Sequence, residues 1–321
     1  MKEQLLKMLA EREGAFVSGE EASRLLGVSR TAVWKQIRRL MEEGYTIEAC
    51  RNRGYRLAGS PDRLTAAGLL SRLRTTSFGR TLHLFDEVGS TQDIAKRLAE
   101  EGAPEGTLVI AELQTSGRGR MGRSWLSPKG KGLWMSLVLR PDVPVLCTPQ
   151  LTLLVAAALC RSLRRQTGLD IGIKWPNDLL VGGRKISGIL LESSAEEERL
   201  RHVIAGVGVS VNLEPDDYPP ELKDKAVSLR MAAGRSFDRT ETAALFLESL
   251  EELYGIYRRD GFGPIRLLWE AHSVTLGRPA VLKTPDGMVE GVALGLTAHG
   301  ALRVRTADGS EREIFSAEFV S

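Results

Sequence analysis

Arginines alternate with glycines in one segment of the chain, the glycine-arginine loop from Gln114 to Trp125 (QTSGRGRMGRSW). Arginine offers forked N–H donors that match phosphate and carboxylate oxygens, and glycine lets the backbone approach a ligand closely. Apolar, strand-length runs precede and follow the loop, at Thr107 to Leu113 and Gly132 to Arg140. The pattern predicts a mobile cationic loop that closes over an anion. The alternative is an ordinary solvated hairpin, because a lone GxGxxG-like string is a weak signal and no helix pattern follows it.

Two further motifs stand at the ends of predicted strands. In the first, Ser90 or Thr91 can cap a following helix, whose amino terminus can hold an anion. In the second, Lys174 to Asp178 (KWPND), a lysine emerges from an apolar strand beside an aromatic residue and an amide-carboxylate pair. Desolvating a lysine alone is costly, so Lys174 needs an anionic partner or a bound ligand.

A third motif is the hairpin Gly182 to Leu190 (GGRKISGIL), which carries a lysine at its base and is followed by Gly206 to Asn212 (GVGVSVN). Each motif alone is ordinary hairpin or capping chemistry. Together the motifs gather four cations around glycine-lined strands, in a sheet that otherwise needs none: Arg118, Arg120, Lys174 and Lys185.

The elements that must position these side chains form a central domain, predicted to span residues 64–272. Several consecutive strands have no helix between them, which favours an antiparallel or mixed sheet with helices on one face, in the α+β class. The segment Glu214 to Leu229, called here the cover segment, is rich in proline and charge and is predicted to be a flexible loop. The breaker Gly59 to Asp62 is the predicted boundary with the preceding domain.

Residues 1–60 have the spacing of a winged helix-turn-helix domain. Two amphipathic helices precede a tight turn at Gly27-Val28-Ser29, a third helix begins at Arg30, and two short strands after Gly44 flank Arg51-Asn52-Arg53 as a wing. The residues expected to pack inside the angle between the helices are Ala22, Leu25 and Val28.

A local positive charge marks the same region. The window from Arg24 to Arg56 holds eight basic and three acidic residues, whereas the net charge of the whole chain is only +3. Because spacing, turn, wing and charge agree, this domain is predicted to bind DNA, through Ser29, Arg30, Thr31, Trp34, Lys35, Arg51 and Arg53. The alternatives are a protein-contact unit with a solvated charged face and, for Trp34, packing against the wing.

From about residue 274 to 321, short strands separated by turns with glycine predict a small SH3-like β-barrel. We see no chemistry in it. Its expected task is to pack on the central domain and help receive nucleotide or carrier protein, or to act as an inert cap.

Composition argues against several classes of protein. The three cysteines and four histidines match no zinc, disulfide or hydrolase pattern, so no metal site formed by the protein alone is predicted and a reducing compartment is expected. The first residues carry charges at helical spacing, unlike a signal peptide, and the longest apolar run, Leu151 to Cys160, is too short to span a bilayer. We expect a cytoplasmic protein without a membrane partner.

The motifs resemble those of one family, the biotin protein ligases. The strings that carry the resemblance follow in order: Ser90-Thr91, Gln114 with Gly117 to Arg120 (GRGR), KWPND, Arg184 to Leu190 (RKISGIL) and GVGVSVN. The occurrence of GRGRxG and KWPND in this order is highly specific for this family. With the helix-turn-helix domain ahead of them, almost the whole chain resembles the bifunctional members of the family, which are both ligases and biotin operon repressors.

The resemblance implies a core like that of class II synthetases and a reaction in two steps. Biotin is adenylated with ATP and Mg²⁺, releasing pyrophosphate, and is then transferred to one lysine of a carboxylase's biotin carboxyl carrier domain, releasing AMP. The reactive adenylate would be covered by the glycine-arginine loop and the cover segment, which exclude water. The expected partners are the carrier domain, operator DNA and, with adenylate bound, a second copy of the chain.

Bringing a carboxylate to the α-phosphate opposes two anions, so cations must surround the reacting centre. We assign this catalytic role to Lys174, Arg120 and Lys185, and Asp178 is expected to steer the metal or the incoming lysine. By resemblance, the residues that bind biotin or its adenylate are Ser90, Thr91, Gln92, Gln114, Gly117, Arg118, Gly119, Arg120, Trp125, Lys174, Asn177, Lys185, Gly188, Gly206 and Gly208.

Two positions depart from the family pattern. The family usually has Asn after the Ser-Thr pair and within Gly-x-Gly-x-Asn-x-Asn, where this chain has Gln92 and Ser210. Gln92 keeps an amide and Ser210 does not, and neither is assigned a catalytic role. Two alternative functions stay open at this point: a lipoate or octanoate ligase, and a ligand-sensing repressor without ligase activity.

Overall fold

A computed structural model describes residues 2–12, 14–42, 45–51, 53–59 and 62–320. The chain divides into two compact units, Met1–Asp62 and Arg63–Ser321. The division falls at the predicted breaker, of which Ser60 and Pro61 lie outside the described residues, as do Gly44 and the wing residue Asn52.

The first unit has the predicted three helices and two-stranded wing. Its elements are α1 (Lys2–Glu11), α2 (Gly19–Leu26), α3 (Arg30–Glu42), β1 (Thr46–Cys50) and β2 (Gly54–Gly59), with β1 and β2 antiparallel. The Ser18 side chain caps α2 by accepting from the Glu21 N–H, and Gly27 ends it in the left-handed region, at φ 66°. This glycine makes the tight turn between α2 and α3.

The packing of this unit corrects one prediction. Val33, Ile37 and Leu40 are buried as expected from their spacing, and Ala22 joins them. Leu25 does not: its side chain is 58% exposed, and Leu26 packs partly against the core in its place. The two adjacent leucines satisfy the helical pattern about equally well, so only the tertiary packing distinguishes them.

The second unit is built on a seven-stranded mixed sheet in the order β3-β4-β5-β9-β8-β7-β6. Only the pair β3 and β4 is parallel among these neighbours. The strands are β3 (Leu82–Phe85), β4 (Leu108–Ala111), β5 (Leu133–Leu139), β6 (Ile171–Lys174), β7 (Asp178–Val181), β8 (Arg184–Glu196) and β9 (Arg199–Val209). The helices are α4 (Ala66–Arg72), α5 (Thr91–Glu100), α6 (Thr148–Thr167), α7 (Leu229–Ala233), α8 (Arg239–Asp260) and α9 (Gly263–Ala271).

Helices cover both faces of this sheet, which corrects the expectation of one covered face. Alternate residues of the central strands belong to separate clusters: Val109, Val138 and Ile204 pack with α5, whereas their neighbours Leu108 and Leu137 join the larger core that contains α6 and α8. Since successive strand residues point to opposite faces, α5 lies opposite α6 and α8.

The stretch Val145–Thr167 passes the length and composition criteria for a helix that crosses a membrane. The run Leu151 to Cys160 within it is by itself too short to span a bilayer. However, 61% of its most apolar window is buried inside the protein. Such burial is the property of a core helix, and the stretch is weak evidence for a membrane span.

The carboxy-terminal strands form a five-stranded antiparallel sheet in the order β13-β12-β11-β10-β14. They are β10 (Pro279–Thr284), β11 (Gly287–Leu296), β12 (Leu302–Thr306), β13 (Glu311–Ile314) and β14 (Glu318–Phe319). The last strand, β14, was not predicted from the sequence. Their buried residues are continuous with the core of the central sheet. The cover segment, predicted to be a flexible loop, contains two short 3-10 turns, Pro215–Asp217 and Pro220–Leu222, and is packed on the protein with Tyr218 and Val227 buried.

Candidate functional site

A cavity of about 390 Å³ lies in the second unit, where the glycine-arginine loop, the start of α5, the β6-β7 turn, β8, β9, the cover segment and β14 meet. Most predicted binding and catalytic residues line it: Ser90, Thr91, Gln92, Gln114, Arg118, Gly119, Arg120, Trp125, Lys174, Asn177, Asp178, Lys185, Gly188, Gly206 and Gly208. Gly117 does not. It lies behind the lining, where a Cβ would stand 2.5 Å from the Trp125 carbonyl oxygen, so it allows close packing within the loop.

One end of the cavity is a network of uncharged polar groups. The Thr91 N–H and hydroxyl donate to Gln114 Oε1, at 2.9 and 3.0 Å, and Gln114 Nε2 donates to the Ser127 hydroxyl. The Thr91 hydroxyl oxygen also lies 2.9 Å from that of Ser136; because Ser136 donates its own proton to Gln92 Oε1, the Thr91 hydroxyl shares its one proton between Gln114 and Ser136. Ser90 caps α5 and accepts from the Gln92 N–H. These groups are held in fixed positions and suit a ligand with amide-like donors and acceptors.

Gln92 is a fixed part of this wall. Its side chain is 3% exposed, its Nε2 donates to the carbonyls of Leu190 and Ile204, and its Oε1 accepts from Ser136. A Cβ at Gly206 would lie 2.4 Å from Gln92 Oε1, so the glycine makes room for the amide. The longer amide therefore connects α5 with β5, β8 and β9, and its hydrogen-bonding groups serve the protein.

Ion pairs already hold two of the predicted cations. Arg118 lies 2.7 Å from the Asp93 carboxylate and 3.2 Å from that of Glu192. Lys185 lies 2.7 Å from Asp178, and its ammonium is also 5.2 Å from the centre of the Trp125 ring system. Arg118 therefore anchors the base of the glycine-arginine loop to α5 and β8.

Arg120 sits deeper in the same loop, which is folded as a hairpin: the Gly119 N–H donates to the Arg123 carbonyl at 2.6 Å. Arg120 donates to Asn177 Oδ1 at 3.2 Å and to the Ser316 hydroxyl at 2.9 Å. Burial lowers the pKa of its guanidinium, but arginine keeps its charge in proteins. Its charge is therefore available to an anion in the cavity.

Lys174 ends β6, opposite Asp178 in the hairpin register. Within the described residues it makes no ion pair, and its ammonium lies 4.9 Å from the centre of the Phe319 ring. Arg120 and Lys174 are thus two cations of the cavity that form no ion pair with a carboxylate in the described part of the chain.

The other end of the cavity is apolar and aromatic. Trp125 and Leu126 pack there with Leu222 and Ala226 of the cover segment, around buried Tyr218. Glycines in two neighbouring strands make space for the indole, since a Cβ at Gly208 would lie 2.3 Å from Trp125 Nε1 and one at Gly188 would lie 3.0 Å from the ring. The indole therefore packs closely against β8 and β9 and gives this end of the cavity an aromatic lining.

Several residues that line the cavity were not predicted from the sequence. Ser136 had a detectable signal, as the one polar residue of an otherwise apolar strand, β5. Tyr218, Glu318 and Phe319 had none, because they reach the cavity through contacts distant in sequence. Glu318 pairs with Arg123 at 2.6 Å, so β14 and the glycine-arginine loop meet at the rim.

No group of three or more His, Cys, Asp or Glu side chains in the described ranges could hold a metal ion. A metal that enters with phosphate groups needs only one or two carboxylates from the protein.

In the first unit, α3 presents a polar face. Arg30, Thr31, Trp34, Lys35 and Arg38 are all exposed along it. Trp34 is 46% exposed, with the Arg38 guanidinium 5.2 Å from the centre of its ring system. The alternative in which Trp34 is a core residue against the wing is therefore wrong.

The remaining predicted contacts of this unit lie at its turn and wing. The Ser29 hydroxyl accepts from the Ala32 N–H at 3.2 Å and so caps α3. Arg51 and Arg53 are exposed on the wing, where the Arg53 guanidinium lies 4.4 Å from the centre of the Phe16 ring. The wing therefore presents positive charge to solvent.

Family models match three segments of the chain. A model of the biotin/lipoate A/B protein ligase family matches residues 84–210, an HTH domain model matches residues 2–56, and a model of the biotin protein ligase C terminal domain matches residues 275–320. The three matches follow one another in the order expected from the sequence motifs.

Individual proteins are similar over longer ranges. The bifunctional ligase/repressor BirA of Bacillus subtilis (strain 168) is 45% identical over 318 residues, which cover 99% of this chain and 98% of that protein. The biotin–[acetyl-CoA-carboxylase] ligase of Paracoccus denitrificans is 34% identical over 69% of this chain and 93% of its own. The biotin protein ligase of Aquifex aeolicus, solved in complex with biotin and ATP, superposes with a TM-score of 0.65 at 32% identity, over 75% of this chain and 98% of that one.

Proposed function

Because the chain belongs to the family of bifunctional biotin ligases and repressors, we infer that it is both an enzyme and a transcriptional regulator. It is an ATP-dependent biotin–[biotin carboxyl-carrier protein] ligase that forms biotinyl-5′-AMP and transfers biotin to a carboxylase carrier domain. It also binds DNA as a biotin-responsive repressor. The observation that carries the ligase function is the cavity, which combines a fixed polar network with two cations that form no ion pair within the described residues.

The chemistry of the first step fits this cavity. The biotin carboxylate attacks the α-phosphorus of ATP, the bond from that phosphorus to the bridging oxygen breaks, and pyrophosphate leaves. Lys174 and Arg120 would stabilise the charge that gathers on the phosphoryl oxygens, and Lys185 would bind phosphate or acyl oxygens. Ser90, Thr91 and Gln114 would hold the polar ring of biotin, and Trp125 would lie near the nucleotide.

Mg²⁺ would enter with the phosphates of ATP, and its charge would offset theirs when bound. Asp178 is the carboxylate that fits this role, since it lines the cavity beside Lys174. One carboxylate is enough for a magnesium ion that phosphates and water also bind.

Biotin-dependent release of pyrophosphate from ATP, followed by transfer of labelled biotin to a carrier domain, tests the ligase function. Lipoate and octanoate replace biotin in parallel reactions. Activity with lipoate or octanoate and not biotin would favour the alternative ligase. Binding of biotin without any pyrophosphate release would favour the alternative of a repressor that only senses its ligand.

Replacing Arg120 with glycine is expected to release biotinyl-AMP at least about tenfold faster, because the hairpin loses its charge-assisted contacts to Asn177 and Ser316. Free adenylate acylates lysines indiscriminately, so biotin should appear on a bystander protein mixed with the carrier domain. The matched control is Met121→Gly in the same hairpin, since Met121 is 74% exposed and already has a φ of 56°. Undiminished selectivity of the Arg120 variant would rule out the gating role.

For the repressor function, the first unit would place α3 in the major groove, with Arg30, Thr31, Trp34 and Lys35 facing base edges near Ser29. Arg51 and Arg53 of the wing would contact phosphates. The exposure of all these side chains supports the assignment, although the Ser29 hydroxyl also accepts from the Ala32 N–H.

Arg51→Ala is expected to weaken binding to a mixed-sequence duplex and to reduce the slope of log K against log salt concentration by about 0.9, the effect of one lost phosphate contact. Titrations at several salt concentrations, followed by fluorescence anisotropy, measure this slope. Lys7→Ala, which removes an exposed lysine on α1, is the control. An unchanged slope in the Arg51 variant would exclude the phosphate contact.

Regulation would follow if biotinyl-AMP orders loops that also form a dimer surface, so that the adenylate favours the DNA-competent homodimer. Sedimentation with and without biotinyl-AMP tests this coupling, and an unchanged mass would count against it. We place the protein in the cytoplasm, where biotin, ATP, carrier domain and operator DNA are all available.

A further inference from the structure

We propose that Phe319, in the last strand of the chain, is the residue that positions Lys174 for adenylate formation. The proposal rests on the ligase function inferred above. It assigns a specific role to the carboxy-terminal sheet, in which the sequence showed no chemistry.

The backbone around Phe319 fixes where its ring lies. Phe319 stands opposite Leu282 in the pairing of β14 with β10, and the next residue, Val320, donates its N–H to the Val281 carbonyl at 2.9 Å. The half-buried ring is then 4.9 Å from the Lys174 ammonium, within the range of a cation–π interaction. β14 therefore brings an aromatic face to the end of β6.

The carboxylates nearest in the cavity lining are engaged with other cations. Asp178, opposite Lys174 in the hairpin, lies 2.7 Å from Lys185, and Glu318 lies 2.6 Å from Arg123. An aromatic ring differs from a carboxylate in one decisive respect: it attracts the ammonium without cancelling its charge. Phe319 can thus hold Lys174 in place while the full charge remains available to the carboxylate and phosphate that react.

The position of the pair shows what the ring prevents. Lys174 and Phe319 both also line a second cavity, of about 550 Å³, together with Asp170 and His272. The two side chains therefore stand between the cavities. Without the ring, the flexible lysine could turn toward the second cavity, away from the substrates.

The test compares Phe319→Leu, which keeps apolar bulk but removes the ring, with Phe319→Tyr, which keeps the ring. Biotin-dependent exchange of labelled pyrophosphate into ATP measures adenylate formation. For the leucine variant we expect kcat to fall between about three- and thirtyfold, the range of a partly desolvated cation–π contact. The KM values for biotin and ATP should change little, because Lys174 acts on charge that develops in the transition state. The tyrosine variant should retain most of the wild-type rate.

Phe315→Leu is the matched control, since Phe315 is exposed in the same terminal segment and does not line the cavity. An exchange rate of Phe319→Leu equal to wild type would overturn the proposal. An equal loss in the leucine and tyrosine variants would also overturn it, because the ring would then serve packing alone. If the wild-type protein itself forms no biotinyl-AMP, the proposed function fails and this assignment fails with it, whereas a wild-type rate in the leucine variant of an active enzyme overturns the assignment alone.

Discussion

Replacing Lys174 with alanine should lower the rate of biotinyl-AMP formation by about 10²–10³, the loss expected when one preorganised charge is removed from the reacting centre. Lys174 ends β6 inside the cavity, and its charge is not neutralised by any carboxylate within the described residues. The fold should be unaffected, because the ammonium serves an anion and not the core. Pyrophosphate exchange measures the rate, and circular dichroism with urea unfolding checks the fold.

The control for this variant is Lys283→Ala, which removes an exposed lysine from β10 of the same unit. Lys174→Arg should recover only part of the activity, because a planar guanidinium does not reproduce the position of a compact ammonium. Normal exchange by Lys174→Ala would refute the catalytic role of the lysine and leave Arg120 as the cation to test next.

Glu112→Gln is expected to reduce the free energy of unfolding by about 3–5 kcal/mol, the cost of leaving a buried charge without its partner. Glu112 is 3% exposed and Arg239 is fully buried, and their nearest atoms lie 2.7 Å apart. The same carboxylate accepts from the Leu64 N–H at 2.8 Å, and Arg239 also donates to the Gly132 carbonyl. The pair therefore connects the start of the second unit with β4, β5 and α8. Urea unfolding followed by tryptophan fluorescence measures the loss.

A double variant separates the charge from the packing. Glu112→Leu combined with Arg239→Met removes both charges and should regain only part of the lost stability, since the apolar pair avoids the desolvation cost of the charges but leaves the Leu64 N–H without its acceptor. Glu221→Gln, at an exposed position of the cover segment, is the control for the change from acid to amide. A midpoint of Glu112→Gln equal to that of the wild type would contradict the structural role of the pair.

A sequence pattern cannot always decide which of two adjacent residues is buried. The helical period predicts a buried leucine near the end of α2, but it assigns Leu25 and Leu26 almost equal positions, and the wrong one was chosen. The same limit applies to the sheet: consecutive strands predict a mixed sheet, whereas the face on which α5 lies depends on how the strands are ordered in space.

Gln92 and Phe319 illustrate the same limit at the site. The sequence marked Gln92 only as a departure from a family pattern, and the structure shows its side-chain amide hydrogen-bonded from helix α5 to three strands of the sheet. Phe319 carried no signal, because a two-residue strand at the end of a chain has no periodicity to detect.

The sequence by itself determined the secondary-structure elements of this protein and the kinds of side chain that they carry. These include the helix-turn-helix spacing, most strands of both sheets, and the segments that carry Arg120 and Lys174. These features depend on local periodicity and turn chemistry, which a few neighbouring residues specify. Only the tertiary structure decided which cations are neutralised, which carboxylate is buried and which ring faces Lys174. Those contacts join residues far apart in the chain, such as Glu112 and Arg239, and they depend on how the strands pair and the layers pack, which no local pattern encodes.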